Sequence, residues 1–288
     1  MANSKATLIE RIKINEDLGI FKFETDIPLD FIPGQYNALG IKLGETDKII
    51  RRPYSIASTP GKNEVEYLIR YVRNGGKRED GKGKMTTELF ELTDEKLKKL
   101  HFEISHPEKG KLFLDEKDKR NVILVGTGTG LAPFMSKLRS KSGEDLLKYT
   151  LIHGVANCQD LAYFDELTDL VNNNGLRYLH VKSRKKCDGE EDETNYVGQL
   201  FFNRRQGKTG RINLEEINEA IDKNRLDNSE IEKIFGRKLT PEKDAIMLCG
   251  NPDMIANMTR LIESRGFKDG EDVISEKYWP AKKGNYKT

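Results

Sequence analysis

The segment "RNVILVGTGTGLAPFMSKLR", residues 120–139, restricts the fold more than any other stretch of the 288-residue chain. Residues 122–125 form a continuous apolar run, as a parallel strand buried on both faces requires. Gly126, Gly128 and Gly130 follow at once. "LAPFMSKLR" then reads as a helix, with Pro133 near its first turn, where a missing N–H does no harm. Strand, glycine turn and helix make the phosphate-cradling unit of nucleotide-binding α/β folds, because glycines let the backbone approach a pyrophosphate closely. The spacing is not G-x-G-x-x-G, so ordinary dehydrogenase logic does not carry over.

The same alternation continues toward the C-terminus. "YTLIHGV", "LRYLHVKSR" and "EKDAIMLCGNP" read as strands, "DLAYFDELTDLVNN" and "PDMIANMTRLIESRG" as helices. Strands alternating with helices predict a parallel sheet covered on both faces, with ligands at the strand C-terminal ends. Gly126 to Gly130, His153 with Gly154, Ser183 with Arg184, and Cys249 with Gly250 all fall at such ends. "LIHGVANC" offers no carboxylate for a ribose 2′-hydroxyl, whereas "VKSRKK" presents Lys182, Ser183, Arg184, Lys185 and Lys186. A hydroxyl and a guanidinium suit a 2′-phosphate. Residues 203–243 interrupt the pattern. Ile212, Leu214, Ile217 and Ile221 suit one short amphipathic helix, and Ile231, Ile234 and Phe235 another, so this stretch reads as a surface insertion.

The N-terminal third has a different period. "GIFKFETD" alternates Phe21 and Phe23 with Lys22 and Glu24, and "EVEYLIRYV" alternates in the same way. Short period-two runs between turns such as "IPGQY" and "STPGKNE" predict an antiparallel barrel or sandwich. One helix interrupts the strands: "MTTELFEL", with Leu89, Phe90 and Leu92 on about one face and Thr86 as the expected N-cap. Glycines and a hydroxyl at a helix start form an anion site, since free N–H groups and the dipole favour negative charge. Earlier still, "RRPYSIAS" at 51–58 sets cations, an aromatic ring and hydroxyls close together, as a flat anionic ligand with polar edges would need.

Composition narrows the class. Charged residues make up 33% and apolar residues 36%, with 49 cations against 47 anions and a net charge of +2. A nucleic-acid protein usually shows a clear basic excess. No apolar run approaches the ~20 residues of a membrane span, and "MANSKATLIERIKI" lacks a signal-peptide core, so a cytoplasmic protein is expected. Cys158, Cys187 and Cys249 are odd in number and far apart, which argues against a disulfide framework, a structural zinc or an iron–sulfur cluster. No metal site is expected. His101 and His106 read as ordinary strand or loop residues.

Taken in order, these motifs resemble the ferredoxin/flavodoxin–NADP reductase family of bacterial FAD-containing enzymes. The resemblance runs from "FIPGQY" to "EKYW", excluding 203–243. It implies an FAD-binding antiparallel β-barrel over 1–116 and a Rossmann-like parallel α/β domain binding NADP(H) over 117–288. R-x-Y-S matches Arg52, Pro53, Tyr54 and Ser55. It implies that Arg52 meets the FAD pyrophosphate, Tyr54 lies against the isoalloxazine and Ser55 bonds near flavin N5; Arg51 falls outside the motif. G-x-x-S/T matches Gly83, Lys84, Met85 and Thr86, which would hold the same pyrophosphate. "GTGTGLAPF" resembles the NADP pyrophosphate turn, with Gly128, Thr129 and Gly130, and "KSR" the 2′-phosphate motif, with Ser183 and Arg184. "CGNP" places Cys249 and Gly250 at the nicotinamide, and "EKYW" supplies Glu276 for a proton or partner contact, with Tyr278 and Trp279 at the flavin.

By this resemblance Ser55, Cys249, Glu276 and Tyr278 serve hydride transfer by orientation and electrostatics, with no catalytic triad. Lys185, Lys186, Arg204 or Arg205 would complete a phosphate clamp that Gln199, where bacterial relatives often carry Arg, leaves short. The implied partner is an acidic one-electron carrier, ferredoxin or flavodoxin, served by a monomer. The alternatives are a reductase feeding another acceptor and an NADP(H)-sensing module without turnover. The nine residues after Trp279 either cover the FAD adenine or form a disordered tail.

Overall fold

The computed structural model describes residues 3–43, 49–74, 80–183, 197–202, 214–223, 226–227 and 229–277. Two compact units result: Met1–Phe113 with Ala132–Ser142, and Leu114–Leu131 with Gly143–Thr288.

In the first unit, β1 (Asn3–Asn15), β2 (Leu18–Leu29), β3 (Tyr36–Lys42), β4 (Ile49–Ser55), β5 (Lys62–Arg70) and β6 (Phe102–Lys109) form an antiparallel sheet in the order β4-β3-β6-β1-β2-β5. An Ile56–Tyr67 bridge joins the end of β4 to β5 at the sheet's far side, closing the barrel. Alternation sends Phe21 and Phe23 inward, where they meet Phe90 and Phe102 edge to face at 5.3 and 4.9 Å. Each such ring contributes roughly 1.5–3 kcal/mol by leaving water. Two helices follow, α1 (Lys84–Glu91) and α2 (Asp94–Leu97), and α1 turns Met85, Leu89 and Phe90 into the same core. The helix expected after the glycine turn, α3 (Ala132–Arg139), buries Phe134, Met135 and Leu138.

The barrel also holds a hydrogen-bonded chain that no motif announced. Ser4 Oγ lies 2.6 Å from His106 Nε2, and His106 Nδ1 2.9 Å from Glu108 Oε1. Nucleophile, base and orienting carboxylate are arranged as in a hydrolytic triad. Ser4, however, is only 1% exposed, so no substrate carbonyl reaches it. Its role is to staple the start of β1 to the end of β6.

In the second unit, β7 (Asn121–Thr127), β8 (Tyr149–Val155), β9 (Arg177–Lys182), β10 (Asp244–Gly250) and β11 (Val273–Lys277) form a parallel sheet in the order β11-β10-β7-β8-β9. β8 and β10 are buried along their whole length, which explains their largely apolar sequences. Around the sheet lie α4 (Phe164–Asn174), α5 (Leu214–Asp222), α6 (Glu230–Phe235) and α7 (Pro252–Glu263). α5 and α6 fall inside the stretch expected to be a surface insertion. Yet Ile217, Ala220, Leu226, Ile231 and Leu239 belong to the same core as Ile246, Leu248 and Leu261. The side chain of Arg265, just past α7 and only 6% exposed, pairs with Glu232 and donates to the carbonyl of Phe201 at 2.7 Å. The described part of this stretch is therefore integral to the unit. Cys158 is disulfide-bonded, against the expectation from cysteine spacing, and Cys249 is a buried thiol. Among the described residues no helix is long and apolar enough to cross a membrane.

Candidate functional site

The first candidate region centres on β4. β3 opposes it with Leu39 against Arg52, Asn37 against Tyr54 and Tyr36 against Ser55. Arg52 is exposed; among the described residues its guanidinium bonds only the Arg51 carbonyl, at 2.8 Å, and pairs with no carboxylate. Arg51, outside the motif, pairs with Glu103. Tyr54 lies 5.9 Å from the Tyr67 ring, and its hydroxyl donates to Met85 Sδ at 3.6 Å, which brings two of the expected residues together across β4 and α1. Burial raises the Tyr54 pKa, with the nearby Arg52 charge opposing, so the phenol stays protonated. Ser55 is 4% exposed, and its hydroxyl has no partner among the described residues.

The backbone carrying Ser55 is held firmly. Ala57 N–H donates to Glu66 O at 2.8 Å, and Arg139 Nη1 donates to Ala57 O at 2.9 Å and to Glu66 Oε1 at 2.7 Å. Behind Tyr54, the fully buried Tyr67 hydroxyl donates to Asn37 Oδ1 at 2.5 Å. Desolvation lifts the Tyr67 pKa well above 10, which keeps it a donor and fixes the Asn37 amide with its oxygen toward Tyr67.

α1 has Gly83 as its N-cap, and among the described residues no side chain caps its first turn, which carries no acid. Thr86, the expected N-cap, instead lies inside that turn. Its hydroxyl accepts from Val72 N–H at 3.2 Å and donates to Gly83 O at 3.3 Å, so it faces back along the chain rather than capping forward. The helix start is left with open amides and a positive dipole end, beside Lys84 at the first position. An uncommitted guanidinium, an orphaned buried hydroxyl and an uncapped helix start fit a flat ligand with a pyrophosphate.

The second candidate region is the C-terminal rim of the parallel sheet. Register aligns one residue from every strand into a transverse row: His180, His153, Gly126, Cys249 and Glu276. Gly130 lies so close to β10 that a Cβ there would overlap the Cys249 carbonyl. Gly250 has φ +125°, which side-chain-bearing residues rarely adopt. His153 is fully buried; its Nε2 reaches Gly128 O at 3.4 Å and its Nδ1 has no partner among the described residues. A carbonyl only accepts, so the proton sits on Nε2. Burial pulls the His153 pKa down to about 4, with the Gly128 bond opposing, so the ring is neutral at neutral pH. Glu276 is half-buried, its Oε2 is unpartnered among the described residues, and desolvation raises its pKa to about 7. Ser183 N–H and Oγ–H both donate to Val155 O, at 3.0 and 3.3 Å. The missing side chains at 126, 128 and 130 leave backbone where a second pyrophosphate would rest.

Comparison with known proteins bears directly on both regions. Residues 5–106 match the oxidoreductase FAD-binding domain and residues 124–260 the oxidoreductase NAD-binding domain. A flavodoxin/ferredoxin–NADP reductase of Buchnera aphidicola subsp. Baizongia pistaciae is 28% identical over 90% of this chain and 93% of its own. The chain is an oxidoreductase that joins an FAD-binding and an NAD-binding domain, and it aligns with such a reductase over most of its length. A ferredoxin–NADP reductase of Azotobacter vinelandii is 26% identical over 88% of this chain and 86% of its own. The electron transfer component of a 2-halobenzoate 1,2-dioxygenase from Burkholderia cepacia is 32% identical, but over 61% of this chain and about half of its own (47%). The crystal structure of a Neisseria gonorrhoeae ferredoxin NADP+ reductase with bound FAD and NADP shares the fold. Its TM-score is 0.69 at 21% identity, covering 96% of this chain and 98% of that one.

Within this fold, Arg52, Tyr54 and Ser55 share β4; Gly83, Lys84, Met85 and Thr86 share the α1 start; Gly128, Thr129 and Gly130 share the glycine turn; Cys249, Gly250 and Glu276 share the rim. Arg184, Tyr278 and Trp279 lie outside the described residues, as do Lys185, Lys186, Cys187, Arg204, Arg205 and Ile212. Motif reading missed Asn37, Tyr67, Thr127 and Arg139. Two carried a weak signal: Asn37 is an amide in an otherwise apolar strand, and Thr127 sits between two glycines.

Proposed function

We propose that this oxidoreductase moves electrons between NADP(H) and a one-electron carrier protein, ferredoxin or flavodoxin, as a cytoplasmic monomer. The transverse row carries the proposal: it sets a buried thiol and a carboxyl with a pKa near 7 side by side at the glycine turn. When bound, FAD takes a two-electron hydride and releases electrons singly. Arg52 and the helix start at Gly83, with the open amides of Lys84, Met85 and Thr86, hold its pyrophosphate, Tyr54 offers a ring face, and the Ser55 hydroxyl gives a hydrogen bond. Gly128, Thr129 and Gly130 take the dinucleotide's pyrophosphate, Ser183 and Arg184 its 2′-phosphate, and Cys249 with Gly250 bounds the nicotinamide. Ser183 must turn its hydroxyl from Val155 to serve. Glu276 holds or gives up a proton near neutral pH, and Tyr278 and Trp279 cover the flavin. The preference for NADP rests on Ser183, Arg184 and the names of the full-length relatives.

The purified protein is expected to be yellow, to release FAD on denaturation and to oxidise NADPH with ferricyanide. A colourless protein that takes up no FAD sinks the proposal; equal use of NADH sinks only the 2′-phosphate assignment. Cytochrome c reduction should depend on an added ferredoxin or flavodoxin. Independence from both would favour a second reading, delivery to an oxygenase or another acceptor, which the dioxygenase component's 32% identity supports.

A further inference from the structure

We propose that Thr127 is a positioning residue: its hydroxyl fixes the corner formed by Cys249, Gly250 and Asn251, and through it the nicotinamide end of the dinucleotide. This rests on the assignment of Cys249 and Gly250 given under the proposed function.

Thr127 is the last residue of β7, within the glycine turn. Its Oγ1 accepts the Asn251 N–H at 2.9 Å. Asn251 cannot satisfy that amide by itself, because its own side chain caps α7, accepting from Asp253 N–H at 2.8 Å and Met254 N–H at 3.4 Å. Gly250 passes directly over Thr127. A Cβ on Gly250 would overlap Thr127 Oγ1 and come within 2.6 Å of Thr127 O. On the other side, a Cβ on Gly154 would lie 3.0 Å from the Thr127 methyl. The branched side chain therefore has both arms in use, the methyl against β8 and the hydroxyl on the β10–α7 corner. A few residues on, Gly130 closes against the Cys249 carbonyl. The pyrophosphate turn and the nicotinamide corner are thus held together at two points, one of them the Thr127 Oγ1 hydrogen bond.

Valine keeps the shape of threonine and removes the acceptor; serine keeps the acceptor and removes the methyl. In FAD-loaded protein, Thr127→Val should retain FAD and bind 2′,5′-ADP as wild type does, because that half of the dinucleotide does not reach the corner. The single-turnover rate of flavin reduction by NADPH should fall roughly 10–100-fold, the range expected for misplacement of a reacting group by about 1 Å. Alkylation of Cys249 by iodoacetamide, followed on its peptide by mass spectrometry, should quicken about tenfold or more as the corner loosens. Thr127→Ser should restore both values to within about twofold, the level of a retained hydrogen bond.

Wild-type rate and thiol protection in Thr127→Val would overturn the proposal. So would a Thr127→Ser variant as impaired as Thr127→Val, since packing rather than the hydroxyl would then be at work. Should Thr127→Val fail to fold, Thr127→Ser alone decides by the same two readouts. A wild-type protein that binds no NADP+ would instead overturn the nicotinamide assignment, and the alkylation rates would still show whether Thr127 fixes the corner.

Discussion

The two candidate regions are built on opposite principles. On the barrel, the candidate groups are side chains: Arg52, Tyr54 and Ser55 on one strand, beside a helix start that no described side chain caps. On the parallel sheet, the candidate surface is backbone left bare at Gly126, Gly128, Gly130 and Gly250. A side-chain site weakens by degrees when one group is removed. A backbone site fails when one atom is added, because the chain it collides with has nowhere to go.

The sharpest test of that contrast is Gly130→Val. Its side chain would occupy the space of the Cys249 carbonyl, and NADP+ affinity by calorimetry should fall by more than about 100-fold or the second unit should lose its fold, since overpacking against backbone exceeds the usual ~1–3 kcal/mol. FAD content read from absorbance after folding of the barrel would show whether the damage stays in one unit. Next in size, Arg52→Ala should weaken FAD about 10–100-fold, the equivalent of ~1.5–3 kcal/mol for a lost charged hydrogen bond, measured by flavin fluorescence on titration of apoprotein. An Arg52→Ala loss as abrupt as that of Gly130→Val would break the contrast. Tyr67→Phe should lower stability by about 1–3 kcal/mol in urea unfolding, because Asn37 Oδ1 is left buried without its donor, while FAD affinity changes little.

Smallest are the pH effects. Glu276 has a folded pKa near 7 against an ordinary 4.5, because burial disfavours its charge. The folded state therefore keeps a proton that the unfolded chain has released. The contribution to stability is complete below 4.5 and disappears as pH rises through 7. Glu276→Gln should flatten melting temperature over that window and remove any break near pH 7 in flavin reduction by NADPH. His153 acts in the other sense. Its folded pKa of about 4 lies below the ordinary 6.5, so stability falls as pH drops from 6.5 toward 4. His153→Gln should remove that fall.

Sequence reached much of this. The barrel was legible because its strands alternate, and the parallel sheet because 122–125 is apolar without interruption. β11 was not, since "VISEK" is short and sits at an edge, where only Val273 is buried. The 203–243 stretch was misread as peripheral because Ile217, Ala220 and Ile231 reach the core only through helices shorter than three turns, too brief for a clear period. Thr86 fits a cap by residue type, but the chain enters α1 three residues earlier, at Gly83, and its hydroxyl then finds Val72. Thr127 and Asn37 depend on contacts across strands, which spacing along one strand does not encode.

The transverse row has a consequence for how the chain tolerates change in length. Five residues from five strands stay aligned only while each strand keeps its count, so a one-residue deletion within β7 or β10 would turn Gly126 or Cys249 to the wrong face. Loops carry no such frame. The 203–243 stretch joins β10 at Asp244, the end away from Cys249, and its extra length leaves the row in register.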